Sequence, residues 1–291
     1  MKKSIHTYLC LLLMTICCTP MYAARRYYGY SSNAHILRVG LSGGGTYNLT
    51  PADCTMESGV GGTGTIALDY AFYKSLRSID LGLRTGLDLG YQYSPYQAAF
   101  SHQFSQQDYL GNQMDYTTSG EVKIAQHQLL ASIPLMFALR SSGFVWNIGV
   151  RVQAAVYQTG QQQLSNPTIT AYYPAYDVAV TNELITGLVA EEQLSSKIDF
   201  PEIGIECQAA TEIGYEYAIN RSNAIGVMAY FYAGLWGTGA KASNTPVISV
   251  APIADSNNPV PTVTVHDAYR SLLSSYTPLQ FGVKVYYAFN L

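Results

Sequence analysis

Residues 201–217 alternate between two kinds of side chain. Every second position is charged, amide or small, and the positions between them are almost all apolar, from Ile203 to Tyr217. A repeat of two is typical of a β-strand, whose successive side chains point to opposite faces. The stretch is about three times as long as a usual strand of ~5–6 residues. Such a strand is typical of a membrane barrel, whose apolar face meets lipid and whose polar face lines the inside.

Seven further segments alternate in the same way. Together with the first, they span residues 35–47, 62–73, 78–93, 121–139, 144–159, 201–217, 224–237 and 278–291. In the third segment, leucines and tyrosines fill most odd positions, whereas Asp80, Arg84 and Asp88 stand at even ones. The fourth segment contains Pro134, which has no N–H for a strand ladder. We therefore expect a bulge or kink there and assign no faces to that segment.

The connections between these segments alternate in length. Short connections lie at 74–77, 140–143 and 218–223, and long ones at 48–61, 94–120, 160–200 and 238–277. Outer-membrane barrels show this asymmetry, with short turns in the periplasm and long loops outside. The sequence therefore predicts an all-β fold, a transmembrane antiparallel up-and-down β-barrel of eight strands over residues 35–291, after a lead at 24–34. The long external loops would be 94–120, 160–200 and 238–277.

Two of these loops contain strand-like pieces, at residues 168–180 and at 247–253 with 262–266. The pieces could be additional spanning pairs, which would raise the number of strands to ten or twelve. Their prolines and weak apolar faces favour hairpin arms that project above the membrane instead. The second arm would turn at residues 257–259.

Residues 1–23 have the features of a signal peptide. Lys2 and Lys3 precede an apolar region at 8–18, and Ala23 offers a small residue for cleavage. A lipoprotein signal at Cys17 is the alternative, but the residue before it is a bulky isoleucine. Beyond the signal there is no apolar run of about 18 residues, which excludes a helical span. We therefore expect an exported protein.

The composition supports a membrane barrel. Charged residues make up 12% of the chain, about half the usual share for a soluble domain. Tyr and Gly each occur 25 times, as suits interface aromatics and curved strands. The net charge of -3 provides no basic field for nucleic acid. We expect a location in a Gram-negative outer membrane, with outer-membrane lipid and the barrel-assembly machinery as partners.

The polar faces of the segments carry a set of candidate interior residues. They are Arg38, Asp69, Asp80, Arg84, Asp88, Arg151, Glu202, Glu206, Glu212, Glu216 and Lys284. Eight strands leave an interior just wide enough for side chains, and an unpaired charge there would be costly. We therefore interpret these residues as ion pairs and hydrogen bonds that fill the bore. A cation-preferring channel is the alternative, because the acids in the set outnumber the bases seven to four.

Motifs of catalytic or metal sites do not occur in the sequence. His35, His102, His127 and His266 stand in neither a Gly-x-Ser-x-Gly turn nor a His-Glu-x-x-His helix, and there is no metal-binding Cys/His spacing. A serine from a neighbouring strand beside His127 is the alternative, as in barrel-embedded lipid hydrolases. We predict no enzyme activity, no catalytic residues, no cofactor and no bound metal.

One stretch connects the chain to a known family. The signal peptide, Gln128–Leu135 with its Ile-Pro pair, the short turn after it and the Gly-centred strands beyond resemble the outer-membrane β-barrel family that includes PorT-like proteins. That family is similar in architecture to the eight-stranded OmpA-type barrel. The chain end also resembles a barrel-insertion signal, formed here by Gln280, Gly282, Val285 and Tyr287. It departs from that signal by closing on Leu291 instead of Phe.

The resemblance implies an outer-membrane location and no single activity. We predict a non-enzymatic integral outer-membrane protein, whose barrel anchors surface loops for structural or interaction roles. The alternatives are a small cation-preferring channel and, through the PorT-like resemblance, a component of a protein secretion apparatus. Proteins of the cell surface or of a secretion system would be its partners.

Overall fold

The computed structural model describes residues 33–50, 54–76, 79–107, 111–181, 195–198, 200, 204–236, 245–251, 262–273 and 276–291. The predicted signal peptide, most of the predicted lead, the 257–259 turn and Glu202 lie outside these ranges. Within the ranges, no helix is long and apolar enough to cross a membrane.

The described chain forms thirteen strands and one short helix. The strands are β1 (Asn33–Leu49), β2 (Met56–Ser58), β3 (Gly61–Leu76), β4 (Ile79–Gln107), β5 (Gln113–Ser141), β6 (Phe144–Tyr173), β7 (Val178–Thr181), β8 (Ser195–Ile198), β9 (Ile205–Ala218), β10 (Asn223–Gly234), β11 (Ile248–Ala251), β12 (Thr262–Val265) and β13 (Thr277–Asn290). The helix, α1 (Ala268–Leu272), begins after Asp267, whose carboxylate accepts hydrogen bonds from the first backbone N–H groups.

Eight of these strands close into a barrel. The ring runs through β1, β13, β10, β9, β6, β5, β4 and β3, with antiparallel pairing throughout. The last strand closes on the first, from Ile36 opposite Asn290 to Leu49 opposite Thr277. The predicted eight-stranded antiparallel barrel is confirmed. The ten- and twelve-stranded alternatives are wrong, because β2, β7, β8, β11 and β12 lie outside the ring.

The barrel is apolar outside and polar inside. On β4, the side chain of Leu83 is 58% exposed, whereas that of the next residue, Arg84, is 2% exposed. On β6, Ile148 faces outward and its neighbour Asn147 is buried. This arrangement inverts that of a soluble protein. It is the arrangement of a membrane-spanning barrel, in which lipid surrounds the outer face.

Tight connections join the strands at one end of the barrel, called the turn end below. Ser142 and Gly143 connect β5 to β6 with φ angles of 49° and 88°. Positive φ at both central residues is what a two-residue hairpin turn requires, and glycine adopts it readily. Residues 219–222 connect β9 to β10 at the same end. The N–H of Leu291 also donates to the His35 carbonyl there, at 2.8 Å.

Of the bulge or kink expected at Pro134, the bulge is wrong and the kink stays a prediction. Pro134 lies opposite Arg151 in a regular part of the β5–β6 ladder, and the register of that ladder shifts elsewhere, between Leu129 and Leu130 and around Ser119. On its other side, β5 loses two pairs with β4 opposite Pro134 and then resumes in the same register. The missing N–H therefore interrupts the ladder without inserting a residue.

Three strands continue far beyond the ring. β4, β5 and β6 contain 29, 29 and 30 residues, which corrects the boundaries of the loops predicted at 94–120 and 160–200. The alternation persists past residue 94, but the polarity of the two faces changes. The buried positions of β4 carry Arg84 and Asp88 within the ring and Tyr96 and Phe100 beyond it. A pattern that reverses its polarity looks like the end of a strand in sequence, although the backbone continues.

The extensions form a folded region that we call the cap. It comprises residues 94–107, 113–126 and 158–173 of the three long strands, together with β2, β7, β8, β11, residues 262–273 with β12 and α1, and Tyr276. Its buried side chains include Met56, Tyr96, Phe100, Met114, Tyr116, Val122, Ile124, Leu164, Ile169, Ile248, Val250, Val263, Tyr269 and Leu273. The predicted arms are hairpins within it, formed by β6 with β7 and by β11 with β12.

Candidate functional site

The centre of the bore holds four charged side chains from four strands. Arg84 of β4 donates to Asp69 of β3, with Nη2 and Oδ2 2.8 Å apart, and also to Glu212 of β9. Lys284 of β13 lies 2.7 Å from the same Asp69 oxygen. Tyr232 completes the surroundings of Glu212 by donating its hydroxyl proton at 2.7 Å. These contacts tie opposite walls of the barrel together.

A second cluster lies nearer the turn end. Arg38 of β1 pairs with Glu216 of β9 at 3.1 Å. Arg140 pairs with Asp80 at 2.9 Å and lies 3.5 Å from a carboxylate oxygen of Glu216. The guanidinium of Arg140 also stacks over the ring of Tyr73, 4.7 Å from its centroid, which is a cation–π contact. Arg140 was not among the predicted interior residues, because the sequence placed it in the short connection at 140–143, whereas β5 continues to Ser141.

A layer of amides separates these charges from the cap. Arg151 lies 3.6 Å from Asp88 and donates to the side-chain oxygens of Gln153 and Gln280, at 2.7 and 2.9 Å. Gln280 donates in turn to Gln92 across the bore at 2.9 Å. An amide is both a donor and an acceptor, so the same layer accepts from the Arg151 guanidinium and donates to other amides across the bore.

Glu206 belongs to this layer as well. Its carboxylate accepts long hydrogen bonds from Gln153 and Gln208, at 3.4 and 3.3 Å, and from Tyr276 of the cap, at 3.4 Å. The structure therefore places Glu206 at the mouth of the bore, apart from the ion pairs below. Of the predicted interior set, Glu202 alone lies outside the described residues.

The interior is nearly balanced in charge. The buried Arg, Lys, Asp and Glu side chains among the described residues are Arg38, Arg84, Arg140, Arg151 and Lys284 with Asp69, Asp88, Glu212 and Glu216. Each of these nine side chains lies within 4.0 Å of an opposite charge. A buried ion that lost its partner would cost several kcal/mol. The excess of acids that suggested a cation-preferring channel is absent from this buried set.

Glycines on the inward face make room for the long side chains. A methyl group at Gly226 would collide with the ring of Tyr286, and one at Gly86 would collide with the Asp69 side chain. The bore is therefore filled by large residues packed against positions without side chains. In the space bounded by Asp88, Arg151, Tyr230 and Lys284, no room remains for a water-sized sphere.

Aromatic rings join the cap to the mouth of the barrel. The hydroxyl of Tyr96 accepts a hydrogen bond from Asn48 at 2.7 Å and donates to Gln126 at 3.2 Å. Tyr269 of α1 packs edge-on against Tyr96, and Phe200 packs edge-on against Tyr269. Burial raises the pKa of the Tyr96 hydroxyl well above its usual value, so the group stays a neutral donor. The rings and the amides therefore connect the cap to the mouth of the bore.

The histidines lie in separate places. His35 and His127 face outward and pair with the hydroxyls of Tyr70 and Tyr91. His266 lies in the cap with its Nε2 2.7 Å from the Oγ of Ser249, a pair that the sequence did not indicate. In the described part of the chain, no group of three or more His, Cys, Asp or Glu side chains is placed to hold a metal ion.

The predicted insertion signal lies on β13 and divides between its two faces. Gln280 is buried in the amide layer, and Gly282 lies directly against β1 with no room for a side chain. Val285 faces outward, and the Tyr287 ring packs beside Phe289. Recognition of these residues by the assembly machinery stays a prediction.

No family model matches this chain, and no curated protein matches it. Among solved structures, it is similar to the outer membrane protein OprG from Pseudomonas aeruginosa, at 8% identity and a TM-score of 0.32, over 90% of this chain and 98% of that one. It is also similar to the outer membrane protease OmpT from Escherichia coli, at 10% identity and a TM-score of 0.26, over 89% and 96% of the chains. At such TM-scores the likeness adds nothing to what the strand pairing shows.

Proposed function

We propose that this chain is an integral protein of a Gram-negative outer membrane that holds a folded cap at the cell surface. The outward apolar belt of the barrel supports insertion into lipid, with outer-membrane lipid and the barrel-assembly machinery as partners. The tight turns at one end and the large structured region at the other match barrels whose turns lie in the periplasm. On this proposal the turn end is periplasmic and the cap is extracellular.

The barrel acts as an anchor for the cap and not as a pore. The observation that carries this proposal is the set of ion pairs that cross the bore, with Arg84, Lys284 and their carboxylates at its centre. An apolar core stacked on the mouth of the bore supports the same role. The cap would then serve structure or interaction with other surface proteins, without enzyme activity.

Planar-bilayer recording tests the anchor role. We expect no steady single-channel current from the purified wild-type protein, because charged and amide side chains fill the bore. A double variant, Arg84→Ser with Glu212→Ser, shortens two central side chains together and serves as the comparison. Steady cation-selective current from the wild type would contradict the anchor role and support the channel alternative.

Labelling of intact cells tests the orientation. In a background with Cys54→Ser and Cys207→Ser, a cysteine at Ser101 in the cap should react with a membrane-impermeant maleimide. A cysteine at Asn220 in a tight turn should react only after the outer membrane is opened. The reverse pattern would overturn the proposed orientation. Crosslinking from the Ser101 cysteine then identifies proteins that contact the cap.

Hydrolase activity is the remaining functional alternative. The pair formed by Ser249 and His266 makes Ser249→Ala the informative variant. We expect wild-type protein and variant to be equally inactive towards ester and phospholipid substrates. Turnover by the wild type that the variant lacks would overturn the non-enzymatic proposal.

A further inference from the structure

A groove crosses the outer surface where the barrel meets the cap. Its floor consists of outward side chains of β4, β5 and β6, and the segment after β2 and strand β8 border its two sides. The lining residues include Gly59, Tyr93, Pro95, Gln97, Lys123, Ala125, Gln161, Gln163 and Ser195. The groove lies outside the bore and shares none of the ion pairs described above.

The strand register places the residues of the groove, together with Lys197 of the bordering strand β8, in two rows. Gln97, Lys123, Gln163 and Ser195 lie side by side in the upper row, and Pro95, Ala125, Gln161 and Lys197 lie side by side in the row below. The amides, the two lysines and the serine are exposed. The small Ala125 at the centre leaves a depression between them.

The level of the groove relative to the membrane follows from the same register. Tyr93, at the lower edge of the groove, lies opposite His127 one row below Pro95 and Ala125, and Tyr91 and Leu129 lie below them. These outward rings lie at the cap end of the apolar belt, where membrane barrels carry a girdle of aromatic residues at the lipid–water interface. The two polar rows above them therefore lie at the depth of lipid headgroups.

The groove surface carries two lysines and two acids at different heights above the apolar belt. Lys123 and Lys197 are about 12 Å apart at the backbone, because one strand lies between theirs and their rows are two residues apart along the strands. Within the described residues, neither lysine forms an ion pair with an acid. Two exposed acids flank the groove, Glu57 at the β2 end of the upper row and Glu121 one row farther from the membrane. Lys197, in the lower row, is thus closer to the lipid than either acid, and Lys123 lies level with Glu57.

We propose that this groove binds the phosphorylated headgroup of an outer-leaflet glycolipid. The ammonium groups of Lys123 and Lys197 would contact phosphate oxygens by charge-assisted hydrogen bonds. The carboxamides of Gln97, Gln161 and Gln163 would exchange hydrogen bonds with sugar hydroxyls, since each amide both donates and accepts. This inference depends on the proposed placement of the cap in the outer leaflet.

Binding of diphosphoryl lipid A to the full mature chain in detergent provides the test. Native mass spectrometry would measure the fraction of protein that retains the lipid. We expect Lys123→Gln with Lys197→Gln to weaken retention on the order of tenfold, because two cations near a phosphate headgroup are lost. Dephosphorylated lipid A should bind the wild type as weakly as diphosphoryl lipid A binds the variant.

A matched control removes two exposed cations at the turn end. Lys74→Gln with Arg221→Gln makes the same change in net charge, and both residues lie far from the groove. This control should retain lipid A as the wild type does. Heat-dependent electrophoretic mobility verifies that every variant has a folded barrel, and the substitutions lie on exposed surfaces, where folding is least affected.

Three results would overturn the proposal. The first is an equal loss of lipid A retention in the groove variant and in the control variant. The second is equal retention of phosphatidylglycerol and lipid A by the wild type. The third is displacement of bound lipid A by inorganic phosphate alone. Gln161→Ala with Gln163→Ala should reduce the preference for lipid A over phosphatidylglycerol, and an unchanged preference would count against the sugar contacts. Because binding is measured on purified protein, its failure leaves the conductance and labelling tests of the proposed function unaffected.

Discussion

The bore and the cap are built on the same strands with opposite chemistry. On the buried face of β4, Arg84 and Asp88 lie within the ring, and Tyr96 and Phe100 follow beyond it. On the exposed face, leucines within the ring are followed by Ala99 and polar residues. The surroundings of the strand change from lipid along the ring to water along the cap. Next to lipid, the apolar side chains face out and the polar ones pair inside, whereas next to water the usual arrangement returns.

The interiors of the bore and of the cap are also stabilised in different ways. The bore is held by ion pairs whose desolvation is compensated only while every partner is present. The cap is held by burial of apolar area, which depends on volume and tolerates small changes better. Substitutions in the bore should therefore act through charge, and those in the cap through cavity size.

The largest expected effect comes from Glu212→Leu. It removes one of the carboxylates that contact Arg84 and Lys284, and we expect a loss of ~3–5 kcal/mol in the free energy of unfolding. Urea unfolding in lipid vesicles, followed by tryptophan fluorescence, measures this. Arg84→Met together with Glu212→Leu should lose clearly less, because Asp69 still pairs with Lys284. Equal losses in the single and double variants would show that charge pairing does not stabilise the bore.

A cavity in the cap should act locally. Ile248 is fully buried in the cap core, and Ile248→Ala should destabilise that core by ~2–5 kcal/mol through lost burial and an unfilled space. Limited proteolysis should cut the cap of the variant faster while the barrel keeps its folded electrophoretic mobility. Loss of the folded barrel would show instead that cap and barrel unfold as one unit.

The outward face of β4 tests the change of solvent directly. Leu87→Lys within the ring should cost ~2–4 kcal/mol if it lies near the bilayer midplane. Ala99→Lys, on the same face of the same strand in the cap, should change the stability by less than ~0.5 kcal/mol. Urea unfolding in vesicles compares the two variants. Similar losses at both positions would contradict a lipid-facing belt that ends below the cap.

The smallest loss of stability should come from a substitution at the junction between the barrel and the cap. Tyr96→Phe removes the hydroxyl that joins Asn48 to Gln126 and should cost ~1 kcal/mol. Protease susceptibility of the cap should rise slightly, and barrel stability should hardly change. A loss as large as that of Ile248→Ala would mean that this hydrogen bond, and not the apolar core, holds the cap in place.

Much of the barrel could be predicted because its pattern is local. The alternation of Leu81, Leu83 and Leu87 with charged residues requires only the geometry of one strand, and all eight ring strands were found in this way. Arg140 was missed for a local reason as well. It stands at the end of its segment and was assigned to the connection at 140–143, although β5 continues to Ser141. The cap was predicted as loops because its alternation has the opposite polarity.

The amino-acid sequence by itself determined that this chain forms long strands with one polar and one apolar face, since side-chain direction depends only on neighbouring residues. It also determined the positions of the tight connections between β5 and β6 and between β9 and β10. Only the tertiary structure decided which charges meet, because Arg38 and Glu216 are 178 residues apart and approach only when the ring closes. The tertiary structure alone likewise decided that the three long strands continue into a folded cap, because its core is assembled from distant segments that have no common pattern.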